Sequence, residues 1–375
     1  LIVDVIDKLR ILSEDSRYDL ACACGTADDE HRKRGSDGRW IYPVVLPEGG
    51  STVLLKTLLS NACANDCRYC PLRSGSNVRR CTLGPEEIAR AFMEYYWKRK
   101  VFGLFLSSAV IRDPDYTMDK MIAAARILRN RWAYRGYIHL KIIPGASDAA
   151  IEEALSLSTA VSLNIETPGE RHCAVLSKKK IFRRDILRPL TLMAKLTEPG
   201  ARYSRVKCTT QFIVGASDET DREIIHYMVG LYKRLRFKRV YFSAYQRGLG
   251  DESIPGEQKG ASDPREQFIR EHRLYQVDFL IRKYGFRIED IVLDRYGNLS
   301  ADKDPKEMWA ERHPEFFPVR LNRASREELV RVPGIGPETA SRIIDMRRVH
   351  KITDVAMIGV RGNRLKQISS YVVCE

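Results

Sequence analysis

From Ser51 to Ala244 the chain alternates between short β-branched, apolar runs and longer stretches with helical spacing, the pattern of repeated βα units around a parallel sheet. The strand candidates are STVLLKTLL, VFGLFLSS, YIHLKII, TAVSLNIE, VKCTTQFIV and RVYFSA. Of the helices between them, GPEEIARAFMEYYWKRK has the clearest start. Pro85 suits the first helical position, and Glu86 and Glu87 suit the positive helix end. Ile88, Phe92, Met93 and Tyr96 fall on one face and are expected in the core. Six units are too few to close an eight-fold barrel. The pattern therefore predicts an α/β fold, an open, partial (β/α)6 barrel with its site at the C-terminal ends of the strands.

The flanks read differently. Residues 1–50 form an N-terminal extension, a short helix followed by the polar loop TADDEHRKRGSDG. Residues 51–244 are the barrel, and residues 245–319 a helical linker region. That linker holds the exposed connection QRGLGDESIPGEQKGASDP and the helix REQFIREHRLYQVDFLIRKYG. FFPVRLNRAS then introduces a small all-α module over residues 320–375.

Charge and cysteine usage narrow the function. A net charge of +14 favours an anionic partner, nucleic acid before a membrane surface. No apolar run approaches a membrane span, and the start has no signal-peptide pattern. Nine unevenly spaced cysteines suit metal binding in a reducing cytoplasm better than a disulfide framework.

Three of the cysteines, Cys63, Cys67 and Cys70, crowd into NACANDCRYC directly after the first barrel strand. A structural zinc takes four ligands, usually as two separated pairs, and an electron-transfer cluster normally takes four cysteines. Three thiolates on a four-iron cluster leave one iron open to another ligand, a design for chemistry. The competing reading is a zinc held by these three and a distant cysteine. Cys22, Cys24 and Cys81 read as small buried residues, with a second cluster as the alternative.

C-x3-C-x2-C with Tyr69 before the last cysteine resembles the cluster motif of the radical S-adenosylmethionine (radical SAM) enzymes. The resemblance implies a [4Fe-4S] cluster whose open iron is chelated by S-adenosylmethionine, and one-electron cleavage to a 5′-deoxyadenosyl radical. It also implies an electron donor such as flavodoxin or ferredoxin. By position, Ser107 and Ser108 would stand near the SAM amino group, Asn164 and Glu166 near its ribose, and Lys180 near its carboxylate. TQFIVGASDETD resembles the segment that contacts adenine, with Gly215 letting the backbone approach the ring.

In the last module, Ser325 and Glu328 make a capping box for a helix whose apolar side carries Leu329, Val330 and Val332. A second helix starts at Gly336-Pro337 and turns Ala340, Ile343 and Ile344 inward. A glycine turn feeding a helix start offers backbone N–H groups to an anion. Gly334, Ile335 and Gly336 form that turn, and Arg342, Arg347, Arg348 and Lys351 would suit a phosphate backbone. The stretch resembles the helix-hairpin-helix, which grips DNA without reading sequence. It looks most like the DNA receptors of bacterial competence, here with Asn322 and Ala324 at the start. Residues 352–372 resemble a second, degenerate copy with Gly359 and Gly362 at its turn. A protein-interaction hairpin is the competing role.

The combination resembles the DNA modification or repair radical SAM proteins, over nearly the whole chain: YDLAC, EHRLYQVDFLIRKYGF and DPKEMWAERHPEFFPV belong to the likeness. It implies radical chemistry on a nucleotide in DNA and a uracil-DNA-glycosylase-like protein as a pathway partner. A base inside a duplex is out of reach, so a flipped, damaged or single-stranded nucleotide is expected. Cys208, Tyr241 and Tyr245 are candidates for returning the hydrogen, with packing as the competing role for each. Two other readings remain: a radical SAM modifier of RNA such as tRNA, and a non-enzymatic iron–sulfur DNA binder that senses redox state.

Overall fold

The computed structural model describes residues 4–19, 33–34, 40–45, 51–258 and 264–375. These divide into two compact units, Leu1–Glu219 with Tyr227–Phe268, and Thr220–His226 with Ile269–Glu375.

The first unit opens with α1 (Val5–Asp15), β1 (Lys33–Arg34) and β2 (Trp40–Val45). The βα series follows: β3 (Ser51–Leu58), α2 (Pro85–Trp97), β4 (Gly103–Ser107), α3 (Pro114–Arg126), β5 (Tyr137–Lys141), α4 (Asp148–Leu157) and β6 (Ala160–Ser162). It continues with α5 (Glu170–Leu176), α6 (Arg188–Thr197), β7 (Lys207–Val214), α7 (Asp221–Lys233, in this unit from Tyr227), β8 (Arg239–Ala244) and α8 (Pro255–Gln258). Strands β3 to β8 are parallel neighbours in chain order, the curled six-strand half-barrel that the alternating pattern predicts. The sheet also extends before Ser51, because β2 pairs antiparallel with β3 and β1 with β2.

Strand register sorts the side chains. Lys56, Phe105 and His139 lie side by side, as do Leu58 and Ser107, Lys141 and Ser162, and Gln211 and Tyr241. These positions face the barrel lumen. Leu55, Leu104, Ile138, Val161 and Cys208 alternate with them and are buried on the opposite face. The lumen is polar. His139 stacks flat on Phe105, with ring centroids 4.1 Å apart, and lies 2.9 Å from Ser162 Oγ, while Lys56 Nζ sits 5.0 Å from the Phe105 ring.

Helix α2 starts as expected: Pro85 is at its first position, and Glu87 accepts from the Gly84 N–H at 2.6 Å. Its core face carries Ile88, Phe92 and Met93, but Tyr95 is buried and Tyr96 is 39% exposed. Tyr134 packs edge-on against both rings, 5.0 Å from Phe92 and 4.9 Å from Tyr96, and Tyr96 lies at the outer margin of this cluster.

The second unit holds α9 (Pro264–Lys283, from Ile269), α10 (Pro305–Arg312), β9 (Val319–Arg320), α11 (Arg326–Arg331), α12 (Pro337–Val349), α13 (Gly362–Ser369) and β10 (Val372–Val373). Leu321, Leu329, Val332, Ile335, Ile343 and Ile368 belong to one core there. The capping box forms in full: Ser325 N–H donates to Glu328 at 2.6 Å, and Glu328 N–H donates to Ser325 Oγ at 3.1 Å. Leu329, Val330, Val332, Ala340 and Ile343 are buried as their spacing predicts, and Ile344 packs at the margin.

Candidate active site and nucleic-acid motif

A cavity of about 460 Å³ lies at the C-terminal ends of the barrel strands. Cys63, Cys67 and Cys70 line it, as do Tyr69, Ser107, Ser108, Asn164, Glu166, Lys180 and Tyr245. The loop that carries the cysteines leaves β3 and is braced from all sides. Arg80 donates to the carbonyls of Asn61, Leu72 (2.8 Å), Arg73 (2.8 Å) and Ser76 (3.1 Å). Arg73 spans from the Cys70 carbonyl to those of Leu249 and Gly250. Asp66 accepts from Ser177 Oγ at 2.6 Å and from the Lys178 N–H at 3.0 Å, which ties the loop to the end of α5. Burial raises the Asp66 carboxyl, but the donors from Ser177, Lys178 and Lys179 outweigh it and leave it below the usual range.

The three thiols share one environment. Burial pushes Cys70 up to about 12 and also raises Cys67, and the neighbouring thiols add to both. Lys180 works against this. Burial disfavours its charge, but Cys67 and Glu166 more than offset that and hold it protonated. Tyr69 donates to Glu166 at 2.9 Å and accepts from Lys180 at 3.4 Å, while Asn164 donates to the other Glu166 oxygen at 3.4 Å. Glu166 has a φ of 64°, a left-handed conformation uncommon for glutamate, fixed by backbone bonds to Gln211 and Ile213 on β7. Strain of this kind concentrates at binding sites.

The donor set fits an iron–sulfur cluster. Among the described residues no three His, Cys, Asp or Glu converge on a single ion, while the three cysteines face one cavity. A four-iron cube needs that spread, because each thiolate takes its own iron. The neighbouring cation, carboxylate, amide and phenol would meet the charged and polar ends of S-adenosylmethionine.

Other expectations fare differently. Cys208 does not line the cavity: it lies on the helix face of β7, its Sγ 3.3 Å from Thr197 Oγ1 and 4.0 Å from the Met193 carbonyl. Strand parity turns it away, so packing is its role. Tyr241 shares the lumen face with Gln211 but lies below the cavity lining. Tyr245 lines the wall, yet its hydroxyl donates to Glu257, which also accepts from the Gly248 and Gly250 N–H groups. Gly215 has a φ of 91° and lies outside the lining. A Cβ there would stand 2.1 Å from Gln267 Oε1, so the glycine answers to packing with Gln267. Cys81 is also away from the cavity, its Sγ 3.9 Å from the Lys8 carbonyl, and Cys22 and Cys24 lie outside the described residues.

Lys141, Gln211 and Arg17 line the cavity and were not expected there. The signal was present for Lys141: in YIHLKII the polar residues Tyr137, His139 and Lys141 alternate with apolar ones, marking a polar lumen.

In the second unit, Val332 to Gly336 form the turn between α11 and α12. Gly334 has a φ of 86°, and a Cβ on it would stand 2.7 Å from Ile368. Two basic side chains hold its carbonyls: Arg364 Nε donates to Gly334 O at 2.7 Å and the buried Lys306 Nζ to Ile335 O at 2.6 Å. Across a trans peptide this directs the Gly336 N–H away from Lys306. Gly336 caps α12 without a side-chain bond, leaving first-turn N–H groups for an outside acceptor. Two expected phosphate ligands are used internally. Arg342 donates to the Ile358 carbonyl at 3.1 Å, and Arg347 to those of Leu321 (3.0 Å) and Ala324 (2.6 Å). Carbonyls at the loop ends need donors, and these guanidiniums supply them. Asn322 likewise bridges Ile352 and the Cys374 carbonyl. Lys351 is exposed, Gly359 (φ 73°) would clash through a Cβ with Arg342, and Gly362 (φ 63°) opens α13 with nothing near its Cβ position.

A half-barrel with three cysteines, a buried cation and a carboxylate at one cavity has the donors to hold an iron–sulfur cluster. Residues 57–228 match the Radical SAM superfamily, and residues 318–345 match the helix-hairpin-helix motif. Residues 57–228 thus carry a radical SAM domain, of a superfamily whose members use a [4Fe-4S] cluster and S-adenosylmethionine. No curated protein matches. Among solved structures, methylornithine synthase (PylB) is 15% identical, with a TM-score of 0.45, over 60% of this chain and 62% of that one. HydG, a maturase of the [FeFe]-hydrogenase, is 13% identical, with a TM-score of 0.46, over 84% and 80%. Streptococcus suis SuiB is 12% identical, with a TM-score of 0.43, over 61% and 47%. The chain thus spans less than two thirds of the length of PylB. No described helix is long and apolar enough to cross a membrane.

Proposed function

We propose that this enzyme abstracts a hydrogen atom from a nucleotide in DNA, in repair or modification. The observation that carries the reading is the helix-hairpin-helix motif at 318–345 on the same chain as the radical SAM region at 57–228. The net charge of +14 adds to it. When bound, the cluster and S-adenosylmethionine supply a one-electron cleavage that yields a hydrogen-abstracting radical. The chain's own work is placement. Cys63, Cys67 and Cys70 would hold the cluster, and Lys180, Glu166, Asn164, Tyr69, Ser107 and Ser108 would orient the sulfonium substrate. The hairpin turn, with Gly336 and Lys351, would hold phosphates without reading bases. Gly359 and Gly362 shape the second turn, a supporting element. Lys141, Gln211 and Arg17 line the remaining wall, where an extruded nucleotide would sit.

The test is anaerobic: reconstituted full chain, S-adenosylmethionine and dithionite, with and without damaged DNA, assayed for 5′-deoxyadenosine by mass spectrometry. DNA should stimulate its formation, and deuterium should pass from labelled DNA into it. Stimulation by tRNA and not by DNA would move the substrate to RNA, and intact cluster with no 5′-deoxyadenosine under any condition would defeat the catalytic assignment. A uracil-DNA-glycosylase-like partner and a flavodoxin or ferredoxin donor belong to the same proposal, testable by co-purification and by replacing dithionite.

A further inference from the structure

The end of the barrel opposite the cavity carries exposed aromatic rings set among cations. Trp97, the last residue of α2, is 58% exposed, and Phe102, the residue before β4, is 49% exposed. Trp97 meets Trp132 edge to face at 5.3 Å, and Phe102 stacks on Tyr137 at 6.3 Å, so the α2–β4 and α3–β5 connections form one surface. Lys98, Arg99 and Lys100 lie on the first connection, Arg131 and Arg135 on the second, all exposed. Residues 95–103 and 127–137 contain no acid. Among the described residues none of Lys98, Arg99, Arg131 or Arg135 pairs with a carboxylate. A shallow depression of about 560 Å³ runs between Val53, Trp97, Arg99 and Phe102.

We infer that this surface binds single-stranded nucleic acid, bases stacking on Trp97 and Phe102 and phosphates meeting Lys98, Arg99, Arg131 and Arg135. The aromatic faces choose single strands over duplex, because only unstacked bases offer a π-face. The cations choose nucleic acid over an apolar partner. Such a grip is tolerant of sequence. The inference deepens the proposed DNA substrate and rests on that reading for its biological meaning: a base taken into the cavity leaves its neighbours unpaired and available. Strands β4 and β5 separate the two ends by about 17 Å, so one strand would have to run along the barrel to reach both.

The test is titration of the reconstituted full chain with an oligothymidine of about twenty nucleotides, read by tryptophan fluorescence and by anisotropy at stated salt. Trp97→Ala with Phe102→Ala should weaken oligothymidine binding about tenfold and leave duplex binding unchanged. Trp97→Phe should keep most of the affinity. Lys98→Ala with Arg99→Ala should lower the salt slope by about 1.4, from about 0.7 per lost single-strand phosphate contact. Unchanged oligothymidine affinity in the aromatic variant overturns the inference, as does quenching by phosphatidylserine vesicles or an acidic peptide but not by the oligonucleotide. If DNA fails to stimulate S-adenosylmethionine cleavage while the Trp97-dependent oligonucleotide binding persists, the substrate proposal falls and this surface stands.

Discussion

Lys306 should make the hairpin turn less stable at low pH. Its ammonium is buried beneath Val332–Gly336, where desolvation lowers it to about 7 despite the pull of Asp304, with Arg364 adding to the effect. The groups around it are Asp304 at the cap of α10, Arg364 from α13 and the Tyr284 ring 4.9 Å away. In the unfolded chain the same lysine titrates near 10.5. Between these values the unfolded state holds a proton that the folded state lacks, so stability rises with pH from about 7 upward. The slope is at most about 1.4 kcal/mol per pH unit, and the change from pH 6 to pH 9 is on the order of 2–3 kcal/mol. Lys306→Met keeps the stem and removes the charge, but leaves the Ile335 carbonyl without its donor, a cost of about 1 kcal/mol. The two stability curves should therefore cross: the variant is firmer near pH 6 and the parent firmer near pH 9. Hydrogen exchange of amides 332–340 in the full chain, corrected for intrinsic rate, reads the local opening free energy. Parallel profiles for the parent and the variant would refute the argument.

Other outcomes follow from the site. Serine at Cys63, Cys67 or Cys70 should abolish bound iron and sulfide after anaerobic reconstitution, and retained full occupancy would refute the ligand assignment. Glu166→Gln should weaken S-adenosylmethionine binding by about tenfold or more with iron content unchanged, measured by equilibrium dialysis. Cys208→Ala should cost about 1 kcal/mol in denaturant unfolding and leave the product distribution unaltered, since its thiol faces α6. Arg342→Met should destabilise the hairpin unit at constant salt slope for duplex binding, whereas Lys351→Ala should lower that slope by about 0.9.

The barrel was legible because short runs rich in β-branched and apolar residues alternate with helical stretches. Strand β2 was not: WIYPVV holds Pro43, which reads as a strand breaker, and the missing N–H is tolerated because β1 pairs only with residues 40 and 41 of β2. The cluster loop and most of the polar residues near it could be placed from order along the chain. What could not be placed was decided by direction. Cys208 follows an even–odd alternation that becomes visible only once Gln211 is known to face inward. Arg342 and Arg347 carry the charge a phosphate site wants, yet their nearest needs are the carbonyls of Ile358, Leu321 and Ala324. Lys306 and Arg364 lie about thirty residues on either side of the turn they support, and no local spacing announces them.

The bracing of the cysteine loop has a consequence for the enzyme's working life. Arg80, Arg73 and Asp66 set the loop's course through bonds to backbone and side chains, with no thiol among the bridging groups. The course of the loop would therefore not depend on a cluster being bound. Loss of a cluster would then leave the chain folded and its cysteines in place to take another.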